Sequence, residues 1–147
     1  MKARIEKEVN FSAGHTIPSH PKCSRMHGHN YRVIVVVEGE VDNKGMLVDF
    51  GEIKNIVMTL DHRYLVGTQD TVKQISDEED IYHMSVPHAT AEWIAHWIVH
   101  QVGNLAHNIS YVSAELWETP DSKVFVEQAY GLRNISSYTY TVSGDIR

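Results

Sequence analysis

The chain has 147 residues, 42% of them hydrophobic and 22% charged, a balance that suits one globular domain with a sizeable core and excludes a largely disordered protein. A formal charge of −6, with no block among the thirteen Lys and Arg, argues against a nucleic-acid partner, because phosphate backbones are held by basic stripes. No run of about 18 apolar residues occurs and no apolar core follows Met1-Lys2-Ala3-Arg4, so neither a membrane span nor a signal peptide is expected, and the expected location is cytoplasmic.

The first element is a strand. Ile5, Val9 and Phe11 alternate with Glu6, Glu8 and Asn10 up to Gly14 and His15, the period of a half-buried strand. A second strand runs from Tyr31 to Val41, where Val33, Val35 and Val37 alternate with Ile34 and Val36; both faces are expected to be covered. Asp42-Asn43-Lys44-Gly45 has turn chemistry. Asp49 with Glu52 resembles a capping box, and Ile53, Ile56, Val57 and Leu60 follow at helical spacing, which predicts a short helix ending near Leu60. The polar, acidic stretch from Thr68 to Pro87, centred on Asp77-Glu78-Glu79-Asp80, reads as a solvated loop. A second helix is predicted from Thr90 as N-cap to about Ala106, with Trp93, Ile94, Trp97, Ile98 and Leu105 as core. Strands from Tyr111 to Glu118 and from Lys123 to Tyr130 flank the turn Thr119-Pro120-Asp121-Ser122. The order is ββααββ, an α+β domain over residues 1–131. Residues 132–147 form an extension of uncertain structure with strand propensity between Ser136 and Val142, suited to an edge strand or to pairing with a neighbouring subunit, and no chemistry is assigned to it.

The chemistry concentrates near the start. Side chains two apart on a strand share a face, so His27 and His29 aim at one point, and His15 on a neighbouring strand completes three nitrogens suited to Zn²⁺ with a fourth position open for substrate. The lone Cys23 excludes a disulfide within the chain. Four residues before His27, it lies near such a metal without ligating it and suits a proton acceptor; as a fourth ligand it would instead close a structural site. Asp61-His62 sets a carboxylate beside an imidazole and suits a proton relay with Cys23. Glu118, at a strand end, can accept paired hydrogen bonds from a pterin or guanine edge; the alternative is a solvent-facing turn residue. Lys22, Arg25, Arg63 and Lys123 are local cations for a small phosphorylated substrate. His20 and His83 read as fortuitous loop residues and His88 as shaping the approach to the second helix. His96, His100 and His107 read as one solvated helical face.

Together, Phe11-Ser12-Ala13-Gly14-His15, Cys23-Ser24-Arg25-Met26-His27-Gly28-His29-Asn30-Tyr31, Val48-Asp49-Phe50, Leu60-Asp61-His62-Arg63-Tyr64-Leu65, Ala89-Thr90-Ala91-Glu92 and Trp117-Glu118-Thr119 resemble the family of 6-pyruvoyl- and 6-carboxy-tetrahydropterin synthases, in family order. The resemblance implies the tunnelling fold, in which ββααββ subunits with two helices on one face join antiparallel sheets into an oligomeric barrel, as trimers paired into hexamers. It implies zinc on His15, His27 and His29, Cys23 as proton acceptor, Asp61 and His62 as its relay from an adjacent subunit, Glu118 as pterin anchor and relay member, and Thr90 near the pterin. The three residues between Cys23 and His27 resemble the 6-carboxy-tetrahydropterin synthases of the 7-deazapurine, queuosine-type pathway. The implied reaction converts 7,8-dihydroneopterin triphosphate to 6-carboxy-5,6,7,8-tetrahydropterin, acetaldehyde and triphosphate. The alternatives are the pyruvoyl synthase reaction and a non-catalytic zinc- or pterin-binding member of the fold.

Overall fold

The computed structural model describes residues 1–71 and 78–131; the predicted extension after Gly131 and part of the predicted acidic loop lie outside the described residues. Strand β1 (Lys2–His15) pairs antiparallel with β2 (His27–Glu40), helix α1 (Phe50–Met58) follows, and two short strands, β3 (Arg63–Val66) and β4 (Ile81–His83), precede helix α2 (Ala91–Gly103). Strands β5 (Ile109–Thr119) and β6 (Ser122–Ala129) end the described chain as an antiparallel pair. One sheet holds all six in the order β4-β3-β1-β2-β5-β6.

The four long strands form the expected antiparallel core, whereas β3 and β4 add parallel pairings, which makes the sheet mixed. Neither short strand was expected, and β4 with a 3₁₀ turn at Glu78–Asp80 occupies ground predicted as loop. Segments of four and three residues are too short for a period; their edge pairing to β1 supplies the structure.

Helix α1 starts at Asp49, whose carboxylate accepts from Gly51 N–H, one position earlier than the N3 N–H bonded in a full capping box. Thr90 caps α2 through Trp93 N–H. Ile53 and Val57 of α1 and Ile94, Ile98 and Val102 of α2 are fully buried against Val33, Val35 and Val37 of β2, each apolar side chain stabilising the domain by about 1.5–3 kcal/mol relative to exposure. Trp97 joins this core, but Trp93, at the margin of the stripe that α2 turns to the sheet, is exposed and packs edge-on to His96. His107 follows the helix end, so only His96 and His100 share its face. On the opposite face of the sheet Val36 is buried, while Arg32 is exposed and lies over the Trp117 ring; β2 is therefore covered there only at its centre. No helix among the described residues is long and apolar enough to cross a membrane.

Candidate metal centre and active site

Register builds the site. His15 stands opposite His27 and Ala13 opposite His29, so alternation brings all three imidazoles to the buried, helix-facing side of the sheet. A slip of one residue would turn His27 and His29 to the other face. Ring centroids lie 4.6, 5.2 and 5.0 Å apart, and one nitrogen of each ring falls within 4.8 Å of the others. His15 Nδ1–H donates to the Ala89 carbonyl at 2.6 Å and His27 Nδ1–H to the Arg25 carbonyl at 2.8 Å. A carbonyl oxygen only accepts, so both Nδ1 atoms carry the hydrogen and each neutral ring keeps a lone pair on Nε2. Burial lowers the His15 pKa, against the opposing pull of the Ala89 bond and the Glu118 carboxylate, and burial also lowers that of His29. The neutral, metal-binding form is favoured in both.

The donor set fits a divalent cation. His27 Nε2 and His29 Nε2 are buried without a hydrogen-bond partner. Glu118 Oε1 lies 3.3 Å from His15 Nε2 and 3.6 Å from His29 Nε2, the latter too long for a hydrogen bond. Lone pairs facing a carboxylate repel with no proton between them; a cation among them attracts every donor and outweighs that repulsion. Three imidazoles match the ligand set of a zinc site that keeps one position open. Alternation from Ala114 and Leu116 carries Glu118 onto this face, where it sits against the imidazoles. Tyr31, which no motif singled out for chemistry, places its hydroxyl 3.5 Å from His15 Nε2, and burial followed by the Glu118 charge pushes its pKa up, so it remains an O–H donor.

Cys23 is half-buried on the loop joining β1 and β2 and is not a member of the three-ligand group. His20, read from sequence as fortuitous, shapes this loop: its Nδ1 accepts from the main-chain N–H of Lys22 at 3.2 Å and of Cys23 at 3.0 Å. Asp61 and His62 do meet, with Oδ2 to Nδ1 at 2.8 Å, and Asp61 Oδ1 accepts from Ser12 N–H at 2.8 Å. These bonds, the Ser12 one foremost, hold the Asp61 pKa down. His62 takes a left-handed φ of 57°, held by its N–H bond to Ser12 O, and its side chain is 82% exposed. Among the described residues no hydrogen bond or ion pair joins this pair to the triad. His62 lines a groove of about 600 Å³ together with Ser12, Gly14, Gly28 and Asn30, whose positions alternate away from the triad's face, and with Ala13 and His29, whose positions belong to that face. Arg63 Nη1 donates to Glu79 O, and Lys123 pairs with Glu115, so these two cations are engaged within the chain.

A three-histidine group beside a carboxylate, with His15 buried and His27 and His29 partly so, on a mixed sheet with two helices, defines a candidate metal site in an α+β fold. The model of the 6-pyruvoyl tetrahydropterin synthase family matches residues 4–129, and the chain belongs to that family. It is an enzyme of a lyase family with tetrahydropterin-synthase-type function. It is similar to the 6-carboxy-5,6,7,8-tetrahydropterin synthase of Haemophilus influenzae, 31% identical over 134 residues covering 81% of this chain and 94% of that one. The Bacillus subtilis protein of the same name is 32% identical over 122 residues, covering 80% of each chain. In fold it is similar to the 6-pyruvoyl tetrahydropterin synthase of Plasmodium vivax, with a TM-score of 0.71 at 18% identity over 88% of this chain and 99% of that one. The architecture is the tunnelling fold.

Proposed function

We propose that the chain is a zinc-dependent 6-carboxy-5,6,7,8-tetrahydropterin synthase that converts 7,8-dihydroneopterin triphosphate and one water to 6-carboxy-5,6,7,8-tetrahydropterin, acetaldehyde and triphosphate in a 7-deazapurine, queuosine-type pathway. The observation that carries the metal part is the pair of buried, unpartnered Nε2 atoms of His27 and His29, with the Glu118 carboxylate 3.6 Å from the latter. The relatives named for the carboxy product and the three-residue spacing from Cys23 to His27 support the substrate part.

His15, His27 and His29 would hold the zinc. Bound there, it would supply Lewis acidity to the substrate's side-chain hydroxyls. Cys23 accepts a proton from the side chain, and His62, oriented by Asp61, returns one to it. Because Asp61 and His62 stand apart from the triad of their own chain, this reading takes them from an adjacent copy, in a homo-oligomer built as trimers paired into a hexamer. Within the described residues β4 and β6 each have a neighbour on one side only, which leaves edges for such pairing. Glu118 anchors the pterin through two parallel N–H bonds. The Thr90 hydroxyl accepts from Trp93 N–H and keeps its own hydrogen to donate to the ring. No nucleic acid or membrane partner is part of the reading.

The test is mass analysis of the product formed from 7,8-dihydroneopterin triphosphate by purified protein, with metal content measured on the same sample. A 6-carboxy product with acetaldehyde and zinc supports the proposal. A product retaining the three-carbon side chain assigns the pyruvoyl reaction, and a protein that binds pterin without turnover is the non-catalytic member.

A further inference from the structure

Asp70 belongs to no motif read in the sequence. It lies in the turn after β3, and its side chain is only 3% exposed. Oδ2 accepts from the main-chain N–H of Gly67 at 2.8 Å and of Ala89 at 2.9 Å, and Oδ1 from His88 Nδ1–H at 2.8 Å. Two main-chain bonds run alongside, from Thr68 N–H to Val86 O and from Gln69 N–H to Pro87 O. Gly67 packs so closely that a Cβ there would strike the Pro87 carbonyl and the His88 main chain. A carboxylate this far from water is tolerated because both oxygens are bonded. Two of the three bonds tie the turn to residues 88 and 89, and Ala89 is the residue whose carbonyl receives His15 Nδ1–H at 2.6 Å.

We infer that Asp70 is a positioning residue of the metal centre: by clamping residue 89 it aims the Ala89 carbonyl at His15 and thereby sets which His15 nitrogen faces His27 and His29. The inference rests on the metal reading of the triad. A metal-binding histidine needs its other ring nitrogen bonded to an acceptor, which selects the tautomer and the ring plane. Ala89 O is that acceptor, and nothing in its own side chain steers it. Without the carboxylate, the N–H groups of Gly67 and Ala89 lose their acceptor, and the segment leading into α2 is free to shift by the roughly 1 Å that would break the His15 bond.

Isostery separates positioning from simple support of the turn. In Asp70→Asn the amide oxygen can take the place of Oδ2 and keep both main-chain bonds, while its NH₂ faces His88. In Asp70→Ser the side chain is too short to span them. The experiment measures Co²⁺ and Zn²⁺ affinity by chelator competition and the visible spectrum of the Co²⁺-loaded protein. On the metal-free protein, NMR of His15 reports whether Nδ1 or Nε2 carries the hydrogen. Asp70→Ser is expected to lose about tenfold in metal affinity, to alter the Co²⁺ spectrum and to lose the fixed His15 tautomer, whereas Asp70→Asn stays within about threefold of the wild type. Wild-type affinity and tautomer in Asp70→Ser overturn the inference, as does an equal loss in Asp70→Asn. Should Asp70→Ser fail to fold, Asp70→Glu keeps the charge but displaces the carboxylate, and wild-type affinity in that variant overturns the inference equally. A wild-type protein that binds no metal at the triad defeats the metal reading instead. The metal-free His15 tautomer then still decides whether Asp70 positions that ring.

Discussion

Replacing Cys23 by alanine separates the chemistry from the architecture. The hydrogen bonds at Cys23 use its main chain, from its N–H to His20 Nδ1 and from Ile17 N–H to its carbonyl, so they survive the substitution. The sulfur lies outside the three-histidine group, and the residue is only half-buried. Its loss therefore costs about 1 kcal/mol of stability or less and leaves the triad in place. A positioned proton acceptor contributes roughly 10²–10⁴-fold to rate, which corresponds to about 2.7–5.5 kcal/mol of barrier. The expected result is a kcat reduced by that factor, with metal content and oligomeric state unchanged and KM close to wild type. The assay is a quenched time course of product formation followed by mass spectrometry, with metal analysis on the same preparation. A rate within about tenfold of wild type, or metal lost together with the thiol, refutes the assignment of Cys23 as a proton acceptor beside an open site.

Acidification should destabilise the metal-free protein. Burial holds the folded-state pKa of His15 and His29 below the ordinary 6.5, so at lower pH the unfolded chain binds more protons. This contribution is complete above about pH 6.5 and is lost as pH falls toward the folded-state values; urea unfolding of chelator-treated protein between about pH 5 and 8 measures it, and stability that rises on acidification contradicts it. Complementation tests the shared site: co-refolding Cys23→Ala with His62→Ala should restore about a quarter of wild-type activity if each site joins two chains at random, and no restoration refutes the two-chain arrangement.

Several parts of this molecule were legible residue by residue. The alternation of Val9 and Phe11 with Glu8 and Asn10 marked β1, and the Thr90 cap marked the start of α2, because strand period and helix capping are local properties. The pairing of Asp61 with His62 was legible as a possibility; its hold on Ser12 was not, since 49 residues separate the partners. Strands β3 and β4 escaped notice because pairing with distant neighbours, rather than any pattern of their own, makes them strands. Trp93 reads as core from its apolar character, yet the rotation of α2 on the sheet leaves it outside. His20, His88 and Asp70 look like ordinary loop residues until their hydrogen-bond partners are known.

The amino-acid sequence alone determined the order of the long elements and the spacing that turns His27 and His29 to one side of a strand. Tertiary structure decided which side that was, through the pairing of His15 with His27, and it brought Glu118 and the Ala89 carbonyl to the same imidazoles. The division has a physical cause. Backbone periodicity depends on neighbours a few residues away, whereas register, ring tautomer and the approach of like-charged or lone-pair groups depend on contacts that exist only once distant segments have packed.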